Sequence, residues 1–308
     1  MKIAIVGGAG FIGTNLYLFF KSKKLKVKIL DNFFIKDNLR FLPKRDLIEC
    51  DILNKKNLLK CLKNFNIIIN LAGQTGVMPS NINPSNSIKK NIIGFLNLIE
   101  ISKINKIKTI VNASTGGAIY GDTNKTSKET DISNPLSVYG LTKDFNEKLS
   151  KIISGKLNII HLRFSNVYGS YSLHKKSLIH NAIKSKILNK HLTINGDGYS
   201  ERDFIYVNDL CKIIYKLRNT NSGVYNVASG KSYNIKNILD HLNNLNFRPK
   251  VIFKKYNKSE VKIVKISNNK IINKLNIKKK FFTNINDGLY STLIWYKKNF
   301  KRKNKFNY

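Results

Sequence analysis

Cysteine is scarce: Cys50, Cys61 and Cys211 are the only three in 308 residues. They are odd in number, scattered and without metal-ligand spacing, which argues against a disulfide framework or a zinc site. They read as packed thiols. Proline occurs five times, and neither an internal repeat nor a low-complexity linker interrupts the chain. No apolar run approaches the roughly 20 residues of a membrane span. The longest, such as Ile67-Ile68-Ile69, are of strand length. The chain opens on a strand pattern rather than on a charged segment followed by an apolar signal, so a cytoplasmic protein without membrane association is expected. Disorder is excluded by 42% hydrophobic and 10% aromatic residues, enough for one large domain or two smaller ones.

Acidic residues and arginine are also few. Against 55 basic residues stand 18 acidic ones, for a formal charge of +37. Such an excess raises the possibility of phosphate-backbone binding. Only seven of the basic residues are Arg, however, and the other 48 are Lys accompanied throughout by Asn and Ile. These three residue types share AT-rich codons, so a compositional bias explains the surplus and specific nucleic-acid binding is not expected. The densest run, Lys297 to Lys305, reads as a frayed, solvated tail.

Apolar stretches of strand length alternate with helical patterns over the first half, the signature of a parallel sheet built from βαβ units. Strands are predicted at 3–6, 27–30, 47–50, 67–70, 109–113 and 158–162, and helices at 11–23, 55–63, 85–104 and 138–153. The expected fold is α/β, a doubly wound parallel sheet. After Arg163 the alternation loosens, with a helix pattern at 177–188 and another at 285–298. This predicts a smaller α/β lobe formed by 165–202 and 229–308, beside a nucleotide-binding domain of 1–164 to which about 203–228 returns.

Directly after the first strand stands Gly7-Gly8-Ala9-Gly10-Phe11-Ile12-Gly13. Glycines at this spacing allow a tight turn, close approach to a pyrophosphate and close packing of helix on strand, while the helix N-terminal N–H groups face the phosphates. Asp31, in Leu30-Asp31-Asn32, follows Gly10 by 21 residues, where a carboxylate accepts hydrogen bonds from an adenosine ribose and repels a 2′-phosphate. NAD is the expected cofactor.

Tyr-x-x-x-Lys on a helix places both side chains on one face, where the ammonium favours the phenolate and lets the tyrosine act as a general base. Fourteen tyrosines among 48 lysines produce about two such pairs by chance, and the chain has three: Tyr17/Lys21, Tyr139/Lys143 and Tyr171/Lys175. Only Tyr139 begins a helix after the fifth strand, which ends in the hydroxyl-bearing Ser114-Thr115.

In order along the chain, the glycine turn, Leu30-Asp31-Asn32, Cys50-Asp51-Ile52, Asn70-Leu71-Ala72-Gly73-Gln74, Ser114-Thr115-Gly116-Gly117, Tyr139-Gly140-Leu141-Thr142-Lys143, Arg163-Phe164-Ser165-Asn166-Val167-Tyr168-Gly169 and Gly196-Asp197-Gly198 with Arg202-Asp203-Phe204 resemble the extended short-chain dehydrogenase/reductase family, in its nucleotide-sugar epimerase/dehydratase branch. The likeness fades after about Lys250. It implies a Rossmann-type fold, a homodimer and a nucleotide-diphosphate sugar as substrate. It also implies that Gly7, Gly10, Phe11, Ile12, Gly13, Asp31 and Asn32 bind the cofactor. Asp51 and Ile52 would meet the adenine, with Leu71, Ala72 and Gly73 lining the cofactor. Asn91 would hold a water or backbone near the pair, Lys143 would grip the nicotinamide ribose, and Thr115 would bond the reacting sugar oxygen. Asn166 and Arg202 would hold the diphosphate. The double glycine lengthens the Ser114–Tyr120 segment by one residue, which leaves Ser114 or Thr115 as the reacting hydroxyl.

Two departures from the branch matter. Its C-terminal Arg-x-x-Asp is replaced by Lys258-Ser259-Glu260-Val261, and its Pro-Arg is missing from Tyr168–Lys175. The branch's 4,6-dehydratases carry an Asp-Glu pair after the Ser/Thr, where this chain has Gly116-Gly117. The resemblance therefore implies 4-epimerisation with Tyr139 as acid/base, against the alternatives of an NAD(P)H-dependent 4-keto-sugar reductase and a non-catalytic NAD-binding protein.

Overall fold

A parallel strand covered on both faces has to be apolar on both, and the central strands here are: Ile3 and Ile5 enter one core with Leu16 and Phe20, while Ala4 and Val6 enter the other with Phe95 and Leu98. In the computed structural model, which describes residues 1–255 and 261–303, β1 (Lys2–Val6), α1 (Phe11–Ser22), β2 (Lys26–Asp31) and β3 (Leu47–Glu49) wind in one direction from the sheet centre. The chain then passes through α2 (Lys55–Cys61) and returns past β1 to β4 (Ile67–Asn70). From there α3 (Val77–Ile82), α4 (Pro84–Ile88) and α5 (Gly94–Ile104) lead to β5 (Thr109–Thr115), and α6 (Gly116–Ile119) and α7 (Val138–Ile153) lead to β6 (Asn158–Phe164). The seven-stranded sheet, completed by β10 (Gly223–Val227), has the order β10-β6-β5-β4-β1-β2-β3, and every pairing in it is parallel.

The remaining elements are β7 (Asn166–Tyr168), α8 (Leu178–Ile187), β8 (Leu192–Asn195), β9 (Glu201–Tyr206), α9 (Val207–Leu217), β11 (Ser232–Asn234), α10 (Ile235–Asn244), β12 (Val251–Lys254), α11 (Asn269–Leu275) and α12 (Ile285–Lys303). They add a three-stranded sheet, β11-β9-β7, and a two-stranded one, β12-β8.

Three expectations are corrected. The helix predicted over 85–104 is broken by a π-helical segment, Lys89–Ile93, whose extra residue turns Asn91 inward onto the backbone of Gln74. The return to the main sheet begins later than 203–204: β9 pairs with β7 and β11, and only β10 joins the large sheet. The basic run is not frayed at its start: α12 continues to Lys303 and buries Phe300 in the main core, while Lys297 and Lys298 are exposed as expected. Residues 304–308, like 256–260, lie outside the described residues, and so do Lys258, Ser259 and Glu260 of the departed motif. Cys50 and Cys211 are buried, whereas Cys61 is half-buried.

Tyr17, one of the three spaced tyrosines, belongs to this core rather than to any site. Its hydroxyl donates to Asp46 at 2.6 Å, and Lys28 and Lys21 reach the same carboxylate at 2.7 and 3.3 Å. Burial pushes the Asp46 carboxyl up, but the bonds from Lys28, Tyr17 and Lys21 outweigh it and bring the pKa down to about 2. A carboxyl depressed in the folded state stabilises above its unfolded pKa and ceases to as pH falls through the folded one. Asp46→Asn is therefore expected to cost about 1–2 kcal/mol at pH 7 in urea unfolding. The deficit should persist at pH 5 and shrink between pH 4 and pH 2; a deficit independent of pH would show that the charge contributes nothing.

Candidate active site

The strand order reverses between β1 and β4, and the crevice outside their carboxyl ends receives the two segments that follow them. After β1 the chain turns at Gly7, with φ +76°, where a side chain would stand 2.6 Å from the Ala72 nitrogen. Gly10 N–H donates to the Gly7 carbonyl and closes the turn into α1, so Phe11 and Ile12 begin the helix with their N–H groups directed outward. After β4, Gly73 has φ +142°, and a Cβ there would meet Asn91 Oδ1 at 2.6 Å and lie 3.8 Å from Lys143 Nζ. Any side chain would fill this space, which ties Leu71, Ala72 and Gly73 to the Tyr139/Lys143 helix. Asn91 Nδ2 also donates to Thr142 at 3.0 Å, so this asparagine holds backbone beside the pair.

Asp31 ends β2 facing the same turn. Its Oδ2 accepts from Ala9 N–H and its Oδ1 from Phe33 N–H, each at 2.9 Å. Burial raises its pKa against these bonds. Asn32 accepts from Phe34 N–H. At the edge of the crevice Asp51 Oδ1 accepts from Leu53 N–H at 2.8 Å, and Ile52 is buried with its carbonyl bonded by Asn97.

Ser137 caps α7 by accepting from Gly140 N–H, while Ser80 of α3 accepts from Tyr139 N–H at 3.0 Å. The helix thus starts at a fixed point beside the end of β5. There Ser114 Oγ donates to Glu147 Oε1 at 2.5 Å, while the Thr115 side chain lies beside the Tyr139 hydroxyl. Burial pushes the Tyr139 phenol up to about 12, against the influence of the neighbouring Thr115. Burial lowers Lys143 to about 8, against the charge of Glu147, and its Nζ donates to the Ala113 carbonyl at 3.0 Å. Tyr171 is elsewhere, packed edge-on against Phe41 and tilted against Trp295.

Behind the pair lies a polar layer that the sequence reading did not single out. Glu147 binds Arg163 through Nε at 3.1 and 3.2 Å and Nη2 at 2.8 Å, and Arg163 Nη1 reaches the Tyr120 hydroxyl at 2.7 Å. Neighbouring strands carry a row in register: Asn70 Nδ2 donates to Asn112 Oδ1, Asn112 Nδ2 to His161 Nδ1, and His161 Nε2 meets Ser150 Oγ on α7. Burial holds His161 down at about 4, hence neutral. The available signal was Glu147 at i+4 from Lys143, one turn along the same face.

Asn166 Nδ2 donates to the Asp203 carbonyl at 3.2 Å. Arg202 lies on β9 with its guanidinium on the carbonyls of Glu201, Lys262 and Val261, while Glu201 pairs with Lys265. The two therefore share the β7/β9 sheet, through Asn166 opposite Phe204. Arg248, ten residues before the departed motif, pairs with Asp240.

The model of the NAD dependent epimerase/dehydratase family matches residues 3–235. The chain belongs to that family. It is 29% identical over 312 residues to the UDP-glucuronate 4-epimerase of Thermodesulfobacterium geofontis, covering 96% of each chain. Among solved structures, the UDP-glucose 4-epimerase of Thermotoga maritima with UDP-glucose superposes with a TM-score of 0.90 at 26% identity, covering 97% of this chain and 100% of the other. The UDP-glucuronic acid 4-epimerase of Bacillus cereus, in complex with UDP-glucuronic acid and NAD, gives 0.88 at 27% identity, covering 97% and 99%.

The residues present fit the family's NAD: side-chain-free space at Gly7 and Gly73, a helix N-terminus at Phe11 and a buried carboxylate at Asp31. In this NAD-dependent family member, Asp31→Ala is expected to weaken NAD binding about tenfold or more and to narrow the preference over NADP, because the carboxylate expected to accept from the ribose and the Ala9 anchor are lost together. A binding titration with the two nucleotides checks this; an unchanged preference would place the carboxylate away from the ribose.

Proposed function

We propose that the protein interconverts a nucleotide-diphosphate hexose, UDP-linked, with its C4 epimer, keeping NAD bound throughout. The observation that carries this reading is the meeting of Thr115, Tyr139 and Lys143 at the end of β5, followed by Gly116-Gly117 rather than by acids. Bound NAD supplies the means of accepting a hydride from C4 and returning it. Tyr139 takes the proton from the O4 hydroxyl and later gives it back. Thr115 orients the sugar oxygen against that phenol, while Lys143 favours the phenolate and bonds the nicotinamide ribose. Between the two proton transfers the sugar carries a C4 ketone and turns, so hydride returns to the opposite face. A dehydratase needs further acid/base groups, and the two positions after Thr115 offer none.

Asn166 and Arg202 bind the diphosphate in this reading, with the lobe that holds β7, β9 and β11 forming the substrate side of the nucleotide-binding domain of 1–164, to which the chain returns after β9. Relatives named for UDP sugars support the uridine nucleotide. Two copies associate through α5 and α7. In support, Ile93 precedes α5 exposed, and Leu141, Phe145 and Ile152 form an exposed apolar stripe on α7. We place the enzyme in the cytoplasm, since among the described residues no helix is long and apolar enough to cross a membrane and the three cysteines are free.

Denatured protein is expected to release close to one NAD(H) per chain, about the stoichiometry of a cofactor recycled in each turnover. Incubated with UDP- and dTDP-hexoses and no added cofactor, the protein should interconvert one gluco/galacto pair. Tyr139→Phe should lower kcat about 10²–10⁴-fold with NAD content retained, whereas Tyr171→Phe should have little effect. Protein that purifies empty and oxidises NADH or NADPH only with a 4-keto sugar would be a reductase. For the association, Phe145→Glu should shift the sedimentation coefficient to that of a monomer; a wild-type monomer would remove the paired-helix interface.

A further inference from the structure

We propose that Glu147 is a positioning residue for this reaction: its carboxylate holds Lys143 as the ammonium and locks the Tyr139 helix to the strand end that carries Thr115. For what Lys143 does, the proposal rests on the epimerase reading. Three consecutive residues of β5 engage three residues spaced by four on α7. Ala113 accepts from Lys143, Ser114 donates to Glu147, and Thr115 lies beside Tyr139. A helix face with one residue per turn thus meets a strand end residue by residue, and a slip of α7 that moved Tyr139 from Thr115 would also break the 2.5 Å bond of Ser114 to Glu147.

Glu147 is nearly inaccessible, and its two oxygens take four contacts, one from Ser114 and three from Arg163. Near Lys143 are Tyr139 and Glu147 from its own helix, the neutral His161 from β6, which also neighbours Arg163, and the uncharged Asn91 from the π-helical segment. Glu147 is the only carboxylate in that set. Arg163 forms its ion pair, and Lys143 stands one helical turn away, where the same negative charge favours the ammonium. Without Glu147 the buried Lys143 would lose the carboxylate that favours its charged form, and burial would be relieved by loss of the Lys143 proton.

The signs follow directly. The Lys143 ammonium is lost as pH rises past about 8, so kcat should fall on the alkaline side, and removing the carboxylate should bring that fall to lower pH. Glu147→Gln is expected to keep wild-type NAD content and a substrate KM within about threefold. Its kcat at pH 8 should fall about tenfold or more, with the alkaline limb moved down by about one pH unit. Glu147→Asp should recover most of the limb position. Because Glu147→Gln leaves Arg163 unpaired, Glu147→Gln/Arg163→Met removes both charges and serves where the single variant does not fold. The Lys143 amine should also be titrated directly by its ε-carbon NMR shift in lysine-labelled protein, assigned by its loss in Lys143→Arg. Its midpoint should drop in Glu147→Gln and in Glu147→Gln/Arg163→Met, which both lack the carboxylate. An unchanged midpoint and alkaline limb in a folded variant would overturn the proposal. Wild-type protein inert towards every sugar, with the midpoint still lowered by Glu147→Gln, would remove the epimerase reading and keep Glu147's hold on Lys143.

Discussion

A parallel sheet that winds both ways from its centre has one place where adjacent strands send their connections to opposite faces, and here it lies between β1 and β4. Everything at the site is arranged around that gap. Gly7 and Gly73 give up their side chains so that two backbone segments can border it, and Asp31 braces the first of them through Ala9. The helices that follow β4 and β5 deliver Asn91, Lys143 and Tyr139 from the other side. Anchoring the turn to the strand ends costs the protein little, because those ends already sit in register with their neighbours over four or five residues.

The second demand on the structure is electrostatic. A lysine, a glutamate and an arginine are buried together against β5 and β6, where an unpaired charge would be costly. The protein meets that demand by multiplicity of bonds rather than by exposure: the guanidinium spans both carboxylate oxygens and a tyrosine hydroxyl, and the ammonium lies on a carbonyl. The neutral His161 beside them adds no further cation, and its row of asparagines connects the Ala72 nitrogen, through Asn70, to the middle of α7.

Much of this architecture was legible in the residues. Ile67-Ile68-Ile69 reads as a strand covered on both faces, the glycine turn reads as a strand-to-helix junction, and the start of α7 at Val138 follows from Ser137 and the apolar spacing after it. That Ser114 bonds Glu147 while Thr115 stands beside Tyr139 was not legible, since two adjacent hydroxyls are told apart only by the helix that packs on them. The fate of Phe204 was equally hidden. Its alternating apolar pattern suits either sheet, and pairing with Asn166 decides the matter through tertiary contact. The start of the basic run misled because its charges outnumber the aromatic residues, although Tyr296 and Phe300 alone carry that stretch into the core.

The π-helical segment before α5 has a geometric consequence of its own. A regular helix has a single angular phase, so the residues that pack on the sheet dictate where every other residue looks. Here Phe95, Leu98 and Ile99 are bound to the core, and Asn91 is bound to Gln74 and Thr142. One surplus residue in Lys89–Ile93 lets the two ends of the same rod keep different phases, about 100° apart. The rod works as a gearbox between two surfaces, one apolar and the other polar. Deleting a residue there would leave its length and hydropathy almost untouched while turning Asn91 away from the crevice.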